Sequence, residues 1–210
     1  KRLGLSATPS RKYDTTGSEF INDYFNCTEL GYTYNYSLYK AIKNDFLTPY
    51  KYYVHFVTLT DDERERYQQL SKKLLKYFDF SNGEFFPGAE MLLILRKRII
   101  HQAENKLSLL KEILSSEKAK GKDMSHTIVY VPEGNSNDNN IKIINEYSEV
   151  ISNSGMTTHQ ITSQTENIEL ALTNFESGVV QVVTAMKMLD EGVDIPSVQR
   201  AIFCASTGNP

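Results

Sequence analysis

From His126 onward, compact apolar runs alternate with amphipathic stretches, and this alternation limits the fold more than any other feature of the chain. "TIVYV" (127–131) has the length and Val/Ile content of a strand buried on both faces. Residues 139–153 place Ile141, Ile144, Tyr147 and Ile151 on one helical face. "THQIT" (158–162) follows as a short strand. Ile168, Leu172 and Phe175 then mark a helix that stops at Gly178. "VVQVVTA" (179–185) and "VQRAIFCA" (198–205) supply two further strands. A β-α-β-α-β order predicts a parallel sheet covered by helices. In such sheets ligands gather beyond the carboxyl ends of the strands. The places to look are therefore after Val131, Thr162, Ala185 and Ala205.

The preceding residues are built differently. Residues 1–24 show little period and read as a loop with one short helix. "GYTYNYSL" (31–38) and "KYYVHFVTL" (51–59) are rich in aromatic and β-branched residues and read as strands. "YKAIKNDFL" between them reads as a short helix. Thr60 and Glu63 form a capping box in "TDDE", followed by Tyr67, Leu70, Leu74 and Phe78 at helical spacing. "SNGEFFPG" interrupts that helix. Leu92, Leu95, Ile99, Ala103, Leu107, Leu110 and Leu114 then form one stripe, predicting a single long helix before the basic "KAKGKD" loop.

Charge divides the same way. Residues 1–125 carry 20 Lys and Arg against 16 Asp and Glu, a net of +4. Residues 126–210 carry 3 against 10, a net of -7. So acidic a half cannot hold DNA by bulk electrostatics and needs local contacts from backbone N–H groups and hydroxyls. Arg96, Lys97 and Arg98, with "KAKGKD", could follow a duplex backbone, but read first as the solvated side of an amphipathic helix. The two cysteines, Cys27 and Cys204, form no CxxC, which argues against a zinc site or disulfide framework and points to a reducing compartment. A cytoplasmic protein with no membrane partner is expected, since no apolar run is long enough to span a bilayer.

Two short segments are candidates for chemistry. "SATP" (6–9) suits a tight turn in which Ser6 and Thr8 relay hydrogen bonds. "LDEGVDIP" (189–196) follows a strand and sets Asp190, Glu191 and Asp194 around Gly192. Such carboxylates can bind a metal, accept ribose hydroxyls or pair with arginine. A plain capped turn and a solvated acidic turn would also account for them. The four histidines (55, 101, 126 and 159) are scattered and read as structural or exposed. No GxxxxGK[ST] and no Gly-x-Ser-x-Gly occurs in the sequence.

Taken in order, "LGLSATPSR", "YSLYKAIKNDFLTPYKYY", "TIVYV", "VVTAMKMLDEGVDIP" and "AIFCAST" resemble the superfamily 2 helicases and translocases. The likeness is strongest to the branch of XPB-type repair helicases and the motor subunits of type I and III restriction enzymes. The resemblance makes Ser6, Ala7 and Thr8 motif III, residues 127–131 motif IV and residues 182–195 motif V. Residues 41–50 match the strand and turn where that branch leaves its first lobe.

The resemblance implies an α/β fold: a RecA-like parallel sheet flanked by helices, preceded by the tail of the first lobe and a helical connector. Residues 1–60 would be the end of the first lobe and the linker, 61–125 the connector, and 126–210 the second lobe up to motif VI. By the same resemblance, Ser6, Ala7 and Thr8 couple nucleotide state to the nucleic-acid site, and Thr184 with nearby amides touches phosphates. Gly192, Asp194 and Glu191 face the nucleotide cleft. The whole protein would use ATP and Mg²⁺ and act on DNA, with nuclease, methyltransferase or specificity subunits as possible partners. The isolated residues would bind no cofactor and, lacking catalytic residues of their own, turn over no ATP. The rival readings are a non-catalytic α/β interaction module and an RNA helicase.

Overall fold

The structure is a computed structural model that describes residues 3–6, 14–27, 32–134, 137–186 and 195–205. The chain falls into two compact units, Lys1–Val54 and His55–Pro210.

The described residues of the first unit include two helices. In α1 (Thr15–Phe25) the Asp14 side chain accepts from the Gly17 N–H, and Asn26 closes the helix in the left-handed conformation. In α2 (Leu38–Lys43) Ser37 caps the start, and Ala41 is buried. The described part of 31–38 forms no strand. Tyr36 instead packs edge-on against Phe46 and receives a hydrogen bond from Asn44 at 2.6 Å. Residues 41–50 form no strand either: they continue α2 and then run without regular structure.

The second unit begins with another departure from the sequence pattern. Residues 55–59, like 51–54 before the unit boundary, pair with no strand, and Phe56 is 94% exposed. High β-propensity describes how a side chain fits a pleated, half-buried surface, and it makes no strand without a partner across the ladder. The capping box forms as expected: Thr60 Oγ1 accepts from the Glu63 N–H while Glu63 accepts from the Thr60 N–H at 2.9 Å. Helix α3 (Asp61–Leu74) buries Leu74 and packs on α4 (Glu90–His101). A two-residue antiparallel ladder, β1 (Phe78–Asp79) with β2 (Glu84–Phe85), joins them. The predicted long helix is two: α4 stops at His101, and α5 runs from Asn105 to Ala119.

The remaining elements form the expected layers. Strands β3 (Thr127–Tyr130), β4 (Thr158–Ile161), β5 (Val182–Ala185) and β6 (Arg200–Phe203) make a fully parallel sheet in the order β4-β5-β3-β6. Helix α6 (Asn137–Asn153) connects β3 to β4, and α7 (Ile168–Glu176) connects β4 to β5. Period-2 alternation along β3 and β5 sorts the core between the two faces. Val129, Val131, Val182 and Met186 pack with Leu110 and Leu114 of α5 and Ile144, Tyr147 and Ile151 of α6. Ile128, Val183 and Ala185 pack with Ala171 and Phe175 of α7. Each fully buried aliphatic or aromatic side chain in these layers contributes roughly 1.5–3 kcal/mol by leaving water. The result is an α/β RecA-like sheet flanked by helices.

Candidate functional site

The strand order places a switch point between β3 and β5. After β3 the chain crosses over β5 through α6 on one face of the sheet. Just before β6, Ile195 and Val198 lie on the other face, where they join the α7 core. Neighbouring parallel strands whose connections leave in opposite directions open a crevice at their carboxyl ends. Val131 beyond β3 and Met186 beyond β5 are buried and tied to the sheet, donating their N–H groups to the Ala185 and Ile161 carbonyls.

The loop beyond β3 is held from several sides. Glu133 donates its N–H to His101 Nε2 at 3.2 Å, and its carbonyl accepts from the Gln102 amide. The Gly134 N–H donates to Asn140 Oδ1 in the first turn of α6 at 2.6 Å. A Cβ on Gly134 would stand 2.8 Å from the Asn139 carbonyl carbon, so only glycine lets the loop lie this close to α6. Lys106 donates to the His101 carbonyl at 2.8 Å, and burial lowers the pKa of its ammonium. Burial also pushes the Cys204 thiol, just past β6, up to about 12. That thiol is therefore protonated at neutral pH and serves as a small apolar core group rather than a nucleophile.

Thr184 lies within the layer between β5 and α6. It has no accessible surface, and its hydroxyl is 3.0 Å from Ser148 Oγ of α6. Gln160 of β4 joins them, donating to Ser148 Oγ at 3.1 Å and to Asn145 Oδ1 at 2.9 Å. This geometry gives the Thr184 hydroxyl no path to a phosphate. Its place is a buried polar pair with Ser148.

The other expected site residues are distributed unevenly. Ser6 is exposed in the first unit. Ala7, Thr8, Asp190, Glu191, Gly192 and Asp194 lie outside the described residues. Among the described residues no three His, Cys, Asp or Glu side chains come together to hold a metal. A polar groove of about 670 Å³ runs beside edge strand β4 and α7, lined by residues that include Thr162, Thr165, Glu166 and Asn167. It lies beside the edge strand rather than the switch point, and its lining holds no Lys or Arg.

Residues 105–210 match the family described as helicase conserved C-terminal domain. The chain belongs to that family. As a helicase C-terminal lobe it is part of a class that generally uses ATP and binds nucleic acid. No curated protein matches the chain. Among solved structures it is similar to the helicase domain of Hef from Pyrococcus furiosus, at 25% identity and a TM-score of 0.37. That likeness covers 68% of this chain, which spans 28% of the Hef chain. Sequence reasoning did not foresee the contacts made by Glu63 with Glu104 or by His101, Gln102, Lys106 and Glu133. Only Glu63 carries a local signal, as half of the capping box. His101, Gln102 and Glu133 act through contacts 31 and 32 residues apart, and Lys106 through the His101 carbonyl five residues before it.

Proposed function

We propose that this chain is part of an ATP-dependent DNA helicase or translocase of the repair or restriction branch. Residues 126–210 are then its second RecA-like lobe, 61–125 its helical connector, and 1–60 the end of its first lobe with the linker. The observation that carries this reading is the switch point between β3 and β5 in a lobe of the helicase C-terminal family. Motif IV coincides with β3, and motif V begins in β5.

In this reading Gly192, Asp194 and Glu191 face the nucleotide between the lobes. Asp194 accepts hydrogen bonds from ribose or from polar groups of the first lobe. Main-chain N–H groups around Thr184 hold phosphates of the tracked strand. A half-chain with a net charge of -7 supports local contacts of this kind over a diffuse basic surface. Ser6, Ala7 and Thr8 carry the nucleotide state to the nucleic-acid site. ATP and Mg²⁺ supply the phosphoryl-transfer chemistry, with most of the groups that position them lying in other parts of the motor. Nuclease, methyltransferase or specificity subunits are the partners this branch suggests, and the cytoplasm is the compartment.

The test is ATP turnover by the full-length protein with DNA, with RNA and with neither. Stimulation by DNA is expected. Asp194→Ala should lower stimulated turnover about tenfold, the factor that about 1.4 kcal/mol of transition-state stabilisation represents, with folding unchanged by circular dichroism. Stimulation by RNA alone would replace DNA with RNA as the track. No turnover under any condition would favour the non-catalytic module.

A further inference from the structure

We infer that His101 and Gln102 are positioning residues that set the lip of the crevice from outside the lobe's sheet. This rests on the motor reading and goes beyond it, because both residues precede the matched family segment, which begins at Asn105.

Two consecutive side chains at the end of α4 hold both main-chain groups of one residue. His101 Nε2 takes the Glu133 N–H at 3.2 Å, and the Gln102 amide donates to the Glu133 carbonyl. Glu133 is in the loop beyond β3, the central strand beside the switch point. Accepting that N–H requires Nε2 to be unprotonated, so the ring hydrogen sits on Nδ1.

The holding residues are themselves held. Lys106 Nζ donates to the His101 carbonyl at 2.8 Å. Glu63 Oε1 accepts the Glu104 N–H at 2.9 Å, a group that would bond to residue 100 in an unbroken helix. Asn105 Nδ2 reaches the Thr58 carbonyl at 2.8 Å. The break between α4 and α5 contains neither Gly nor Pro. It is held by hydrogen bonds within the connector and to Thr58, while the two bonds to Glu133 run from the connector to the lobe. A helix pair fixed in this way transmits a shift of the connector to the loop that borders the crevice.

The consequence is a role in how tightly the crevice takes DNA. The experiment compares full-length wild type with Gln102→Ala, His101→Ala and His101→Gln by DNA-stimulated ATP turnover and by thermal melting. Losing one such hydrogen bond should raise the KM for DNA about fivefold for each alanine variant, more than it lowers kcat. The amide oxygen of His101→Gln can reach the position of Nε2, so that variant should restore the KM. KM values equal to wild type in both alanine variants would overturn the inference. So would equal losses of KM, kcat and melting temperature without rescue by glutamine, which would mark the contact as purely structural. Absence of DNA-stimulated turnover in wild type would instead remove the motor reading and this inference with it.

Discussion

The hydroxyl of Thr184 shows how one residue type can suit two jobs. In the sequence, a threonine at the end of a Val-rich strand, next to an acidic turn, is a fair candidate to touch phosphate. In the fold it points away from the strand end, into the layer under α6, where it meets Ser148. Period 2 decides this, because Val182, Thr184 and Met186 share the face that α5 and α6 cover. A buried hydroxyl is costly only when its partner is removed. Thr184→Val should therefore destabilise the protein by about 1–2 kcal/mol, since it leaves Ser148 with Gln160 alone. The double variant Thr184→Val with Ser148→Ala should recover part of that loss, because both polar groups are then replaced. Urea unfolding of the single and double variants measures both effects. Equal destabilisation by the two would mean that the pair contributes nothing as a pair.

The elements show which local signals survive folding. The Thr60–Glu63 capping box was legible because both of its hydrogen bonds lie within four residues. The break after α4 was not. Ala103 is buried and continues the apolar stripe, so the pattern reads straight through it. The groups that end the helix come from Glu63 and Glu133, 41 and 31 residues away from their partners. Glu63 thus caps one helix and holds the start of another. Glu63→Ala should cost about 1–3 kcal/mol, since it leaves backbone donors at Thr60 and Glu104 without their acceptor. Amide hydrogen exchange should quicken at both positions. Protection unchanged at Glu104 would mean that residues 102–105 hold their course without Glu63.

At the scale of the whole molecule, chemistry depends on what this sequence contains and what it lacks. A lobe of the helicase C-terminal family offers a crevice, but phosphoryl transfer needs phosphate-cradling amides, a lysine, Mg²⁺ and arginines placed together. The 210 residues hold no GxxxxGK[ST]. We expect the isolated chain to show no ATP turnover above background in a phosphate-release assay, with or without DNA. Robust Mg²⁺-dependent turnover by the pure chain would contradict that expectation.

The sequence by itself determined the layered α/β lobe, because strand and helix periods alternate from Thr127 to Phe203 and buried parallel strands must be apolar throughout. It also determined the family, through segments whose order along the chain is specific. Tertiary structure alone decided that the stretch 51–59 forms no strand, for lack of a partner among the described residues. It alone divided the helix near Ala103, and it turned Thr184 inward. The helix break rests on hydrogen bonds to Glu63 and Glu133, and the role of the Thr184 hydroxyl on Ser148; each partner lies more than 30 residues away, beyond the reach of any local pattern.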